Sequence, residues 1–139
     1  MLHNNAATNR LSSTRDTDVE HMDIQVWDAL MQIKLRGTML AIKHAIPMMR
    51  RRGGGSIINT SSASSLSGAA SFSVYAVSRA GINVLTEYVA VQHGKEGICC
   101  KAICPGQIIR ADGGGSAVQP FNADMVDFMK QSAGDAGGH

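Results

Sequence analysis

Apolar residues recur at helical spacing in two long segments of the chain. The first begins after Asp23, a residue type that caps helices, and ends at the arginine run Arg50–Arg52 and the glycines Gly53–Gly55. Its apolar positions are Trp27, Leu30, Met31, Leu35, Ile42 and Met49. The second covers residues 73–93 and ends at Gly94, with an apolar side that we expect to consist of Val77, Val84, Leu85, Tyr88 and Val91. The pattern therefore predicts two long helices.

Two short segments, one on each side of the second helix, have the composition of buried strands. They are SIINTSS at residues 56–62 and ICCKAIC at residues 98–104. A strand, a long helix and another strand require a parallel, right-handed crossover connection. Residues 8–23 are polar and without a sustained period, so we expect a loop there. The predicted fold class is α/β.

Composition and charge exclude several kinds of protein. The 139 residues, with 44% hydrophobic and 17% charged residues, suit one ordinary globular domain. A net charge of +2 is too small to indicate a nucleic-acid partner, and Arg50–Arg52 is better explained as a favourable charge at a helix C-terminus. No apolar run reaches the length of a membrane helix and residues 1–10 lack the apolar core of a signal peptide, so we expect a cytoplasmic protein without a membrane partner.

Cysteine and histidine positions indicate neither a disulfide nor a metal site. Cys99 and Cys100 are neighbours in a predicted strand and would point to opposite faces, so buried, reduced thiols are expected there and at Cys104. The five histidines show no paired ligand spacing.

The stretch SVYAVSR contains the most specific candidate chemistry. Tyr75 and Arg79 are four residues apart, so on a helix they share a face and the guanidinium could place positive charge beside the phenol. Alternatively, Tyr75 extends an apolar stripe and Arg79 reaches solvent. Ligands of parallel α/β sheets bind beyond the carboxyl ends of the strands, and Ser62, Tyr75 and the segment 105–108 are all expected at that edge.

The order of these signals resembles that of the short-chain dehydrogenase/reductase family. The chain carries NNA at Asn4–Ala6, GGGSIINTSS at residues 53–62, YxxxR with Tyr75 thirteen residues after Ser62, and CPGQI at residues 104–108. The family pattern is NNAG, a serine after a strand, YxxxK and PGxI. The resemblance extends from residue 1 to about residue 110, and four motifs in the same order are far more specific than one.

The resemblance implies hydride transfer between NAD or NADP and a small-molecule alcohol or carbonyl substrate. In its terms Tyr75 is the acid/base, Ser62 binds the substrate oxygen, and Arg79 occupies the position of a lysine that acts on the tyrosine and holds the nicotinamide ribose. Lys34 occupies the position of an asparagine that holds a relay water. Asn4 and Ile108, together with Tyr75 and Arg79, match cofactor-contacting positions. In the family the two long helices usually form the subunit interface, which implies a homo-oligomer.

The same resemblance predicts a partial fold. We expect residues 1–110 to form a Rossmann-like sheet fragment of about three parallel strands with two long helices, and residues 111–139 to form a glycine-rich, mostly flexible tail with one short helix. By the same resemblance, we expect this fragment to lack the first βαβ nucleotide-binding unit, with its glycine-rich site, and the closing C-terminal strand. With Arg79 and Lys34 replacing the family's residues, this truncated chain is expected to have impaired oxidoreductase activity. The alternative is a catalytically inactive fragment that acts only as a helix-mediated association module.

Overall fold

The strands form one parallel sheet, as the sequence predicts. A computed structural model describes residues 1–6 and 10–106. Three strands, β1 (Leu2–Asn4), β2 (Gly55–Thr60) and β3 (Ile98–Ile103), are arranged in the order β1-β2-β3. Both pairings are parallel, with Asn4 opposite Asn59 and Gly55 opposite Ile98. The prediction of an α/β fold with about three parallel strands and two long helices is confirmed.

The first predicted helix forms, with a change of winding in its middle. It consists of α2 (Ile24–Met31), a π-helical segment (Gln32–Arg36) and α3 (Gly37–Arg51). Asp23 caps its N-terminus, because its carboxylate accepts a hydrogen bond of 2.8 Å from the Gln25 amide. The π-helical segment contains Lys34, and such segments are frequent at functional sites.

Residues 8–23 contain a short helix that the sequence analysis did not predict. This helix, α1, covers Arg10–Arg15. Six residues are fewer than two turns, so the segment is too short to show a helical period in its hydrophobic pattern.

The second predicted helix, α4 (Ser73–His93), has the expected bounds but a buried face that differs from the predicted one. Its buried residues are Val74, Ser78, Arg79, Ile82, Thr86 and Val89. Of the predicted apolar side, Leu85 packs against the core, whereas Val77, Val84, Tyr88 and Val91 are exposed, so the prediction is wrong for these four residues. The inner face includes polar residues because they have partners there: the Thr86 hydroxyl lies 2.9 Å from the buried Asn59 amide nitrogen, and Arg79 donates to β2.

The hydrophobic core lies between one face of the sheet and both long helices. It consists of Ile42 and Met49 from α3, Val89 from α4, Ile57 from β2, and Ile98 and Cys100 from β3. The sequence predicted that β3 would be buried on both faces. This prediction is wrong for one face, because Cys99, Lys101 and Ile103 are exposed there. Cys99 and Cys100 lie on opposite faces and, like Cys104, are free thiols.

Two glycine turns fix where β2 and β3 begin. The Gly55 amide donates to the Gly97 carbonyl at 3.0 Å. Gly54 has φ +144°, and a Cβ there would lie 2.6 Å from the Gly97 carbonyl oxygen. Beside these turns Arg50 forms a double ion pair with Glu96 (2.8 and 3.0 Å), and this hydrogen-bonded cation holds the pKa of Glu96 below its ordinary value.

Two of the sequence predictions concern residues that the structure does not describe. The tail at residues 111–139 and the cofactor position Ile108 lie outside the described residues, and the domain boundary at 110 stays a prediction. Within residues 1–6 and 10–106, no helix combines the length and apolarity needed to span a bilayer.

Candidate active site

The carboxyl ends of β2 and β3 leave the sheet together and form one edge. The Ser61 amide donates to the Ile103 carbonyl at 2.7 Å, and the Ala63 amide donates to the Pro105 carbonyl at 3.0 Å. The N-terminal half of α4 contacts the same edge, because an Arg79 guanidinium nitrogen donates to the Thr60 carbonyl at 2.6 Å. This is the edge at which parallel α/β sheets bind ligands.

Three of the predicted site residues come together around one aromatic ring. The Lys34 Nζ lies 4.7 Å from the centroid of the Tyr75 ring, and the Arg79 guanidinium carbon lies 5.1 Å from it. Both distances are within the range of a cation–π interaction. Two elements distant in sequence, the π-helical segment and α4, therefore place two cations beside one phenol.

Lys34 is one of the most buried side chains of the described chain. Only 1% of its surface is exposed. Burial, together with repulsion from Arg79, lowers its pKa from 10.5 to about 8, and the Asp16 carboxylate opposes the change. The ammonium and the neutral amine are therefore both populated near pH 8.

Arg79 is held firmly but keeps one donor unused. The residue is 5% exposed, and its backbone carbonyl accepts a hydrogen bond from the Ser61 hydroxyl at 3.0 Å. Its Nε is buried and has no hydrogen-bond partner among the described residues. A buried donor without an acceptor is costly in a folded protein, which makes this atom a candidate for ligand contact.

Asp16 caps α4 from a distant part of the chain, and the sequence analysis missed it. Its two carboxylate oxygens accept hydrogen bonds from the Val74 amide (3.0 Å) and the Tyr75 amide (2.8 Å). Phe72, at the N-cap position, is in the left-handed conformation and contributes no side-chain cap. An apolar N-cap residue is the one sequence signal that α4 requires a cap from elsewhere.

The other predicted site residues have different surroundings. Ser62 lies two residues beyond β2, is 8% exposed, and its hydroxyl contacts the Ser64 hydroxyl at 3.2 Å and the Ser64 amide at 3.3 Å. Asn4 ends β1, and its side-chain amide donates to Asn59 at 2.8 Å. Ser62 thus lies at the same edge as Tyr75, whereas Asn4 is bound into a polar network of the core.

Comparisons with known proteins agree on one group of enzymes. A family model described as enoyl-(acyl carrier protein) reductase matches residues 1–133. A probable short-chain type dehydrogenase/reductase of Bradyrhizobium diazoefficiens is 42% identical over 109 residues, which are 78% of this chain and 38% of that protein. A 7α-hydroxysteroid dehydrogenase of Bacteroides fragilis is 36% identical over 95 residues, 68% of this chain and 37% of that protein.

Solved structures show the same similarity. A gluconate 5-dehydrogenase from Burkholderia cenocepacia, in complex with NADP and tartrate, superposes with a TM-score of 0.68 at 25% identity, covering 74% of this chain and 38% of that one. A levodione reductase gives a TM-score of 0.67 at 30% identity, covering 73% and 38%. The chain thus spans less than half the length of these relatives.

Proposed function

Because the chain belongs to the short-chain dehydrogenase/reductase family, we propose that it carries the proton-transfer half of an NAD(P)-dependent oxidoreductase site. The reaction is hydride transfer between a nicotinamide cofactor and a small-molecule alcohol or carbonyl. The observation that supports the proposal most directly is the position of Tyr75, at the carboxyl edge of a parallel sheet with Lys34 and Arg79 beside its ring.

The residues at this edge fit the nicotinamide end of such a cofactor. The buried, unpaired Nε of Arg79 is a donor that a ribose hydroxyl could satisfy. We propose Arg79 and Tyr75 as cofactor contacts on this basis, and Asn4 and Ile108 on the family pattern alone. When bound, the cofactor supplies or accepts the hydride.

The chain's own residues would handle the proton and the charge. In the reducing direction, the Tyr75 hydroxyl would give its proton to the substrate oxygen. The Ser62 hydroxyl donates a hydrogen bond to the same oxygen once it turns from Ser64. The positive charges of Lys34 and Arg79 stabilise the phenolate that Tyr75 becomes. Protonated Lys34 can then return a proton to the phenolate, because its pKa of about 8 leaves it able to donate.

The same residues are a reason to propose impaired activity in this chain. Arginine does not release a proton, so Arg79 cannot share in proton return as a lysine could. Only protonated Lys34 can return a proton to Tyr75. Because the pKa of Lys34 is about 8, the rate of reduction should fall as pH rises through about 8. This dependence is the signature of the proposed site.

A binding experiment tests the proposal without knowledge of the substrate. The purified 139-residue chain is titrated with NADH and, separately, NADPH, and the cofactor fluorescence is followed. We expect the cofactor fluorescence to shift to the blue on binding. Arg79→Ala should raise the dissociation constant by roughly fivefold or more, because one or two hydrogen bonds of about 1 kcal/mol are lost. The matched control is Arg36→Ala, an exposed arginine outside the site. No change in fluorescence up to millimolar cofactor, with a folded chain, would refute the proposed cofactor site.

A second candidate function is association through α4 without catalysis, favoured by an exposed apolar surface. The α4 apolar stripe is formed by Val77, Val84, Tyr88 and Val91, which are 45%, 54%, 63% and 84% exposed. These positions are seven, four and three residues apart, so they lie along one side of the helix, as in a helix–helix packing seam. A second copy of this chain would present the same seam, so we propose a homo-oligomer in which α4 packs against α4 of the other copy.

The cellular location is also a proposal. Cys99, Cys100 and Cys104 are free thiols, which persist in reducing compartments. We propose a cytoplasmic protein on that ground.

A further inference from the structure

We propose that Asp16 is a positioning residue of this site, which holds Tyr75 through the backbone of α4 and keeps a negative charge beside Lys34. The inference rests on the proposed function for its catalytic meaning, but its two physical parts can be measured on the chain alone. Asp16 lies in the segment between α1 and α2, 58 residues before Val74.

Asp16 fixes where α4 begins. Its two carboxylate oxygens accept from the amides of Val74 and Tyr75, and its backbone carbonyl accepts from the Phe72 amide at 3.2 Å. Next to it, the Ser73 hydroxyl donates to the Thr17 carbonyl at 3.1 Å. These consecutive contacts on the first turn determine the direction in which the helix leaves. Tyr75 is the third residue of α4, so the orientation of its phenol depends on them.

A carboxylate at this position also suits the charges of the site. Asp16 is 5% exposed and lies at the N-terminus of a 21-residue helix, where amide groups point outward and negative charge is stabilised. The charged and titratable groups around Lys34 include Tyr75 and Arg79 from α4, and Asp16, whose carboxylate accepts from the Tyr75 amide. Asp16 is the acidic member of this set, so it compensates the repulsion between the two cations.

A replacement by asparagine separates the two parts of the role. Asn is as good a helix cap as Asp, but it is neutral and offers one acceptor oxygen. Asp16→Asn therefore removes the charge and keeps one of the two amide hydrogen bonds, whereas Asp16→Ala removes the charge and both hydrogen bonds. The matched control is Asp18→Asn, because Asp18 is exposed and contacts His21 instead of α4.

The charge is tested by NMR titration of Lys34 in the 139-residue chain without cofactor. Lysine side chains are labelled with ¹⁵N, and the Lys34 signal is assigned by its loss in Lys34→Met. We expect Asp16→Asn to move the Lys34 midpoint below its original value of about 8, by roughly half a unit or more, because a neighbouring opposite charge is lost. Asp18→Asn should leave the midpoint unchanged. An unchanged midpoint in folded Asp16→Asn would overturn the electrostatic part.

The cap is tested by amide hydrogen exchange at Val74 and Tyr75. Asp16→Ala should speed exchange at these two amides by roughly fivefold or more, and Asp16→Asn by less. If Asp16→Ala does not fold, rapid exchange of both amides in the original chain would overturn the proposal. A chain that passes both tests but binds no nicotinamide cofactor would refute the proposed function and leave the structural roles of Asp16 intact.

Discussion

Lys34 places an amino group where only 1% of the residue is exposed, and this burial holds its pKa at about 8 instead of 10.5. In the unfolded chain the same group returns to its ordinary pKa. Below pH 8 the amine is protonated in both states, so folding bears the whole cost of burying the ammonium. Between pH 8 and 10.5 the unfolded chain binds more protons than the folded one, and stability therefore rises with pH through this window.

Replacing Lys34 by methionine should expose that cost directly. At pH 7 we expect Lys34→Met to raise the free energy of unfolding, by on the order of 2 kcal/mol, because an apolar chain of similar length fills the site without a charge. The gain should shrink as pH rises from 8 to 10.5. Urea unfolding at about pH 7 and about pH 10 measures it, with the exposed Lys43→Met as control. A gain that is the same at both pH values would mean that Lys34 does not titrate in this window.

Arg79 allows a prediction about catalysis. Its guanidinium is anchored by the Thr60 carbonyl at 2.6 Å and cannot lose a proton. Arg79→Lys keeps the positive charge near Tyr75 and introduces a donor that can ionise, so we expect it to raise the rate of NAD(P)H-dependent ketone reduction several-fold. The exposed Arg36→Lys should have no effect. If Arg79→Lys binds cofactor and gains no activity, the Tyr75–Arg79 pair is structural.

At the scale of helices and strands, the sequence was most informative where local chemistry decides the outcome. Asp23 and Gly94 marked the ends of the helical segments, and β-branched runs marked β2 and β3. The buried face of α4 was not predictable in this way, because it is chosen by partners in other elements. Ser78, Arg79 and Thr86 are buried through hydrogen bonds, and hydrophobic periodicity cannot detect them.

The turn that joins α3 to β2 gives a prediction at this scale. Gly54 has φ +144° and approaches the backbone of Gly97, so a side chain there is both strained and in collision with the carbonyl oxygen. Gly54→Ala should lower the free energy of unfolding by about 2 kcal/mol or more. Gly68→Ala is the matched control, because a Cβ at Gly68 would meet no atom within 4 Å and the residue needs no unusual φ. Equal stabilities of the two variants, measured by urea unfolding, would contradict the close approach.

At the scale of the whole molecule, the parallel topology could be predicted from the lengths of the connections between elements. The long-range contacts could not be predicted from the sequence. Asp16 reaches α4 across 58 residues, and its spacing from Tyr75 corresponds to no local period. Likewise, the strand ICCKAIC is apolar enough to be buried on both faces, yet both long helices pack on the same face of the sheet and Ile103 is 46% exposed. Sequence pattern reports how apolar a surface is, but not which neighbour covers it.

The α4 apolar stripe is an exposed surface that we expect to pack against the same stripe of a second copy of the chain. Its positions are seven, four and three residues apart and share one side of the helix, and large apolar side chains exposed along one helix mark an association site. We expect the chain to form dimers whose fraction rises with concentration in sedimentation experiments.

Val84→Lys places a charge at the centre of the stripe and should shift the chain to monomers, since an unpaired charge in an interface is costly. Val19→Lys, at a 79% exposed position outside α4, should associate like the original chain. A folded original chain that stays monomeric at the highest concentration would exclude association through α4, and dimers that survive Val84→Lys would assign the contact to another surface, such as the open face of the sheet.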